Sequence, residues 1–435
     1  MLKFRDSYTD ENEKYRKERK DKKMKFSKEE KSWILYDVGN SAFTLLMATI
    51  MPIYFNYLAE SGGLTEVQYL AYWGYAASIT TLIVALLGPV CGSIADTKGL
   101  KKPIFLTALF IGVVGCISLG LAKQWLIFLI IFVIAKVGYS SSLIFYDAML
   151  TDVTTEEKMD QVSSLGYALG YIGSCIPFFL CLVLVLGGSG FGLSMEVAMM
   201  FSFIITAVWW VIMTLPLLKN YKQIYYVERK PHVVAEGFKR LGRTFKNVKK
   251  EKKIFIFLLA FFFYIDGVYT IIDMATAYGS ALGLDTTGLL VALLVTQIVA
   301  FPFAILFGRL AKKYSAESLI TICIAAYFGI AVFAYFLQNQ VQFFSLAVLV
   351  GMFQGGIQAL SRSYFTKIIP AERAGEYFGL MDICGKGAAF IGTAVVSGVS
   401  QLTGDINKGV GAIAVFFVIG MILFRMSVKA ENEGA

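Results

Sequence analysis

"GSIADTKGLKK", Gly92 to Lys102, and "GRLAKKYS", Gly308 to Ser315, each close a long apolar run and open a short basic loop, and their leading glycines are offset by about half the chain. In the second copy Lys312 stands at the place of Asp96, so the echo is degenerate. A repeat of this period divides the chain into two similar halves. Outward from these loops the sequence is mostly apolar: 57% of its 435 residues are hydrophobic, 16% are charged, and the mean hydropathy is +0.65. That apolar share exceeds what a soluble domain carries, and it calls for lipid as solvent.

Apolar stretches long enough, at 1.5 Å per residue, to cross a hydrocarbon core of roughly 30 Å recur from Trp33 to Lys429. Twelve spans are predicted, at 33–58, 67–94, 103–122, 125–148, 161–187, 196–218, 254–281, 286–308, 317–337, 341–363, 374–402 and 408–428. The polar, basic segment 1–32 is followed by a run too long for a cleaved signal and without a small-residue cleavage site, so that run is expected to remain as the first span. The six cysteines all fall inside proposed spans with no C-x-x-C pair, which suits apolar filler and neither a disulfide nor a metal framework. The single histidine, His232, lies in a loop and reads as a solvated side chain.

With the amino terminus in the cytosol, all but four of the 40 Lys and Arg fall on the cytosolic side or at its edge. Lys123 and Lys408 lie on the other side, and Lys136 and Lys386 within spans. The positive-inside rule then predicts both termini, with the tail 429–435, to be cytosolic. The net charge of +9 lies where anionic headgroups would meet it, so membrane lipid, and no nucleic acid, is the expected partner of that charge. The longest polar interior segment, "LKNYKQIYYVERKPHVVAEGFKRLGRTFKNVKKEKK", separates a six-span half at 33–218 from another at 254–428. Within this linker, 219–253, Val234, Phe238, Leu241, Phe245 and Val248 recur at helical spacing among basic residues, the pattern of an amphipathic helix on a membrane; a solvated connector is the plainer alternative. The expected fold is all-α: two six-helix bundles with a solute cavity between them.

A charge inside a span costs roughly 2.5 to 3.5 kcal/mol on insertion scales and therefore asks for a partner or a wet cavity. Such residues concentrate in a subset of the spans. Span one carries Asp37 and Asn40, span four Lys136 and Asp147, span seven Asp266 and Asp273, span ten Gln354, Gln358 and Arg362, and span eleven Asp382 and Lys386. Spans three, six, nine and twelve have none in their middles, as expected of helices facing lipid. Lys136, Asp266, Asp273, Gln354, Gln358, Asp382 and Lys386 are the candidates for solute binding or ion coupling. Asp382 and Lys386 stand at i and i+4, so they either neutralise each other or divide the work, Lys386 meeting a solute anion while Asp382 or Asp266 exchanges a proton. Burial disfavours an ionised carboxylate, which is what proton coupling requires. Asp273 reads either as a cavity or as a rim residue, and Lys136 as needing an anion across the bundle, Asp266 or Asp382. Asp37, Asn40, Asp147 and Arg362 share a depth near the cytosolic face, where they form a gate or merely snorkel to water. "GYALGYIG" and "GKGAAFIG" carry small residues at helix-packing spacing.

Gly92, Asp96, Gly99, Lys101 and Lys102 resemble the loop signature of the major facilitator superfamily, with Thr97 standing where a basic residue is usual. The resemblance implies that Asp96 latches against the facing half near the start of helix eleven. "SWILYDVGNSAF", "FYDAMLTDV", "SSLGYALGYIG", "FYIDGVYTII", "GGIQALSRSYFTKIIP" and "EYFGLMDICGKGAAFIG" are similar, in order, to the "unknown major facilitator" family related to the vacuolar amino-acid effluxers of fungal autophagy. That resemblance implies a secondary transporter, exporting or exchanging small solutes such as amino acids, proton-coupled, monomeric, without cofactor or metal, in a cytoplasmic membrane. A lysolipid flippase on the same fold and a non-transporting sensor or scaffold are the alternatives. An enzyme is not expected, since no histidine lies in or beside a span, and no nucleotide loop of the G-x-x-x-x-G-K-[ST] type is present.

Overall fold

The computed structural model describes residues 26–246 and 250–430, with the side chains of 66, 67, 70, 189, 191, 245, 276, 277, 280, 281, 286, 287, 290 and 386–390 outside that description. Of the predicted linker ridge, the Phe245 side chain and Val248 thus lie outside the described residues. Most of the basic tail at 1–32 and of the tail at 429–435 therefore lies outside the described residues. The first half contains α1 (Lys28–Ser61), α2 (Glu66–Ala95), α3 (Lys101–Leu119), α4 (Trp125–Ala148), α5 (Glu156–Gly187) and α6 (Met195–Asn220). The linker contributes α7 (Val233–Lys246). The second half comprises α8 (Lys252–Ala281), α9 (Thr286–Leu310), α10 (Ala316–Tyr335), α11 (Gln340–Ile368), α12 (Ala374–Thr403), a short α13 (Ile406–Ala412) and α14 (Ala414–Lys429). Among the described residues, eleven helical segments are long and apolar enough to cross a membrane, counting 406–429 as one; α12, at 30 residues, covers the predicted span 374–402 and is not one of the eleven. Leu86, Phe110, Phe179 and Ile212 point outward, as lipid-facing side chains do.

Sequence explains where the helices begin. Ser27 and Glu30 form a reciprocal capping box at the start of α1, with Glu30 N–H donating to Ser27 Oγ (3.0 Å) and Ser27 N–H to Glu30 Oε2 (2.7 Å). Thr65, Ser194, Asp285, Ser315 and Asn339 cap later helices, each accepting the backbone N–H of the third residue after it.

Within the first half α1 lies against α5 and α6, α3 against α4, and α2 against α4. The second half repeats these pairings, α8 against α12 and α14, α10 against α11, and α9 against α11. Between the halves the main contacts are reciprocal: α2, second in its half, meets α12, fifth in the other, and α5 meets α9. That pattern is a pseudo-two-fold axis between two bundles. The helices α3, α6, α10 and α14, which lack charges in their middles, pack chiefly within their own halves, and the main contacts between the halves are made by α2, α5, α9 and α12.

Candidate transport site

The halves meet most closely at the end that carries the linker. Here α2 and α12 touch backbone to backbone: a Cβ on Gly92 would run into the Gly375 carbonyl, and one on Gly379 would lie 2.6 Å from Pro89 Cα. Only glycine permits such an approach. It delivers Asp96, fully buried at the carboxyl end of α2, onto the amino terminus of α12. Its Oδ1 accepts from Gly375 N–H (2.8 Å) and its Oδ2 from Glu376 N–H (2.9 Å). These are first-turn donors that a helix leaves unpaired, and they sit at the positive end of its dipole. Burial pushes the Asp96 carboxyl up to about 7, opposed by the nearby Lys101 ammonium and by these two N–H groups.

The rest of the loop holds that aspartate in place. Gly99 adopts φ +77, where a side chain would be strained. Lys101 is fully buried and pairs with Asp152 at 3.0 Å, while Lys102 is half-buried. Asp152 also accepts from Tyr221 Oη (2.6 Å) and from the N–H groups of Ile224 and Tyr225 (2.9 and 2.8 Å), tying the start of the linker to the first half. Thr97, which replaces the customary basic residue, is met by one from the linker: Arg240 Nη2 donates to Thr97 Oγ1 (3.2 Å) and to the Ser93 carbonyl (2.5 Å).

About the second reciprocal contact, Arg362 of α11 enters the first half and is itself only 4% exposed. Its Nη2 donates to Asp37 Oδ2 (3.1 Å) and the Ser163 carbonyl (3.0 Å), its Nη1 to Asp147 Oδ1 (3.1 Å), and its Nε to Ser163 Oγ (2.9 Å). The guanidinium stacks between Trp33 and Tyr167, 4.6 and 4.3 Å from the ring centres. Asn40 orients Asp37 with an Nδ2 bond of 3.4 Å. A planar fork with five donors suits this convergence of carboxylates and rings, which an ammonium would not fill. Lys367 and Asp160 add a further ion pair between the halves at 2.6 Å.

Deeper along the interface the remaining candidates take different surroundings. Gln358 Oε1 accepts from Tyr171 Oη of the facing half (3.2 Å), and the buried Gln354 lies one turn away. Lys136 stacks at 5.5 Å on Phe132, and Asp273 of the second half lies within its electrostatic range. Asp382 is within electrostatic range of Tyr139 in the first half and Tyr269 in the second. The Lys386 side chain lies outside the described residues. Asp266 is held inside its own half, Oδ1 accepting from Thr270 Oγ1 (3.2 Å) and Gly392 N–H (3.1 Å), while its buried Oδ2 has no partner among the described residues.

Asp152, Asp160, Ser163, Arg240 and Gly375 were not apparent from sequence. A loop aspartate, a helix serine and a lone glycine carry no periodic signal. Only "SSLGYALGYIG" and "GGIQALSRSYFTKIIP" hint at the pairing, being the stretches that bring Ser163 and Arg362 together.

Two bundles related by a pseudo-two-fold axis, with charges buried between them, define a membrane transporter of the major facilitator type. Solved structures agree on the fold: the human organic anion transporter MFSD10 (TM-score 0.69, 13% identity, covering 92% of this chain and 100% of that one) and FucP in its outward conformation (0.71, 14%, 91% and 97%). The family described as "Vacuole effluxer Atg22 like" matches residues 26–157 and 151–433, and the chain belongs to it. The uncharacterized MFS-type transporter YxiO of Bacillus subtilis is 42% identical over 404 residues, 92% of this chain and 94% of that protein. Autophagy-related protein 22 of Cryptococcus neoformans is 26% identical over 63% of this chain, a match that spans 52% of the fungal protein. The bacterial relative and the solved neighbours are named as transporters and not as enzymes, and the chain is a multi-pass membrane protein of that transporter type.

Proposed function

We propose that the chain is a secondary transporter working by alternating access, its linker-bearing face closed and cytosolic, and that it exports or exchanges a small solute with proton coupling. The observation that carries this reading is the reciprocal closure of one face by Asp96 on α12 and Arg362 on α1, α4 and α5. Contacts of that kind, short, polar and confined to one end, are the sort that can break and reform as two bundles rock. Export fits the description "vacuole effluxer", and amino acids are the first solutes to try because Lys136, Asp273 and Asp382 offer both charge signs to a zwitterion. Asp266 is the proposed proton carrier, since its Oδ2 leaves a position that a bound proton fills. The bacterial relative favours a plasma membrane location, and a monomer suffices for the mechanism. The basic residues of the linker face lipid headgroups and not nucleic acid.

The test is flux in proteoliposomes of the purified chain with an imposed pH gradient, against amino acids, small peptides and organic anions. Gradient-driven flux is expected to disappear in Asp266→Asn while solute counterflow without a gradient persists. Unchanged gradient-driven flux in that variant overturns the proton assignment, and the same flux whether or not a gradient is imposed overturns coupling.

A further inference from the structure

Where the linker crosses the closed face it encloses a half-open cavity of about 290 Å³ whose charged lining is mainly basic: Lys230, Arg240 and Arg243 from the linker, Arg373 from the second half, against Glu228 and Glu236. The acidic side chains are partly spoken for, Glu228 by Lys98 (3.4 Å) and Glu236 by Lys239 and Arg243 (3.4 and 3.7 Å). Arg240 is the unusual member. One nitrogen, Nη2, is used on Ser93 and Thr97, but Nε and Nη1 are buried and find no acceptor among the described residues. A buried guanidinium donor left unpaired is costly, and a recurring remedy is an anion brought from outside. Lys230 is exposed at the rim with no ion pair among the described residues.

The helix that carries this arginine has a second face. Gly237 sits against Ile94, with Ser93 Oγ donating to the Gly237 carbonyl (3.2 Å), and Thr244 bonds Glu376. That leaves Val234 and Phe238 on the outer side, each 56% exposed. A helix that rests on protein through Gly237 and Thr244 and turns Val234 and Phe238 outward beside the exposed Lys239 and Arg243 belongs at the depth of the headgroups.

We infer that this cavity is a binding site for a phosphate-bearing anion, held by Arg240, Lys230 and Arg243, that clamps the linker to both halves and favours the closed face. Arg373, itself paired with Glu376 (2.9 Å) and Glu251 (3.7 Å), closes the far wall of the cavity. The same chemistry is offered by an anionic lipid headgroup and by a free phosphate, and the apolar ridge of Val234 and Phe238 favours the lipid. The site is distinct from the interface where solute is proposed to bind, and its test does not depend on what is transported.

The experiment is thermal unfolding of the purified full-length protein in neutral detergent, titrated separately with dioctanoyl phosphatidate, dioctanoyl phosphatidylcholine and inorganic phosphate. A saturable rise in melting temperature with phosphatidate, and not with phosphatidylcholine, is expected. Its apparent affinity should weaken about fivefold for each basic residue removed, as basic groups near an anionic surface do. A rise with phosphatidate alone supports the lipid source, and a rise with inorganic phosphate as well supports a free phosphorylated anion. No rise with either, or an undiminished rise in both Arg240→Gln and the double variant Lys230→Gln/Arg243→Gln, overturns the site. The double variant changes only surface side chains, so it carries the test even if Arg240→Gln does not fold.

Discussion

Arg362 joins two carboxylates, Asp37 and Asp147, that would otherwise face each other across a buried space. Removing one member of a buried ion pair leaves an uncompensated charge, at a cost of about 3 to 5 kcal/mol, and here it would leave two like charges. Arg362→Ala is therefore expected to open the linker-bearing face and lower thermal stability, while Arg362→Ala combined with Asp37→Asn recovers part of the loss. Arg362→Lys should rescue little, because an ammonium cannot reach Asp37, Asp147 and Ser163 together or stack flat on Trp33 and Tyr167. Melting temperatures of the four proteins, with accessibility of a reporter cysteine on the closed face, check this. Full rescue by lysine would mean that charge alone, and not the guanidinium's shape, closes the face.

At the scale of elements, the contact of α2 with α12 depends on a glycine pair and on a helix amino terminus, and the two features respond to different perturbations. The Asp96 carboxyl is pushed up to about 7 by burial in this closed face, and parting the helices would return it to water and bring it back toward the ordinary 3.8. A group whose value is raised in the closed state holds its proton more tightly there. Its contribution to closure is fully present below 3.8 and is lost as pH rises toward and past 7. The closed fraction, read from spin-label distances between α2 and α12, should fall between pH 5 and pH 8, and Asp96→Asn should flatten that dependence. A slope that survives in Asp96→Asn belongs to another group. Gly92→Leu, by contrast, should hold the face open at every pH, because its side chain has no space beside the Gly375 carbonyl. Much of this element was legible in advance: "GSIADTKGLKK" marks both Asp96 and the positive-φ glycine Gly99, and hydropathy alone marks the spans. Gly375 and Arg240 were not, because a close approach and a buried guanidinium arise from the relative placement of α2, α7 and α12, which no local spacing records. Likewise the depth of Asp37, Asp147 and Arg362 in the membrane could be read from their positions in the spans, but their convergence on Ser163 depends on how α5 meets α11.

For the whole molecule, the reciprocal contacts mean that the face cannot open by parting α2 from α12 alone. The matching pair, α5 with α9, must part in the same motion, since each bundle is held internally by its own helix pairings. The two contacts flank the axis, so fixing either one should stop the cycle. Ser164 of α5 and Gly308 of α9 are suited to this, because a Cβ built on Gly308 lies 2.8 Å from Ser164 Cβ. A disulfide needs a Cβ separation of about 3.8 Å, which a small adjustment of the two helices provides. The double variant Ser164→Cys/Gly308→Cys, made in a background without the six native cysteines, is expected to lose flux on oxidation and regain it on reduction. Solute binding from the open side should survive oxidation, because the cross-link restrains a helix pair and removes none of Lys136, Asp273 or Asp382. Full flux in the oxidised, cross-linked protein would mean that the halves do not part along α5 and α9, and rocking of two rigid bundles would have to give way to local rearrangement within one of them.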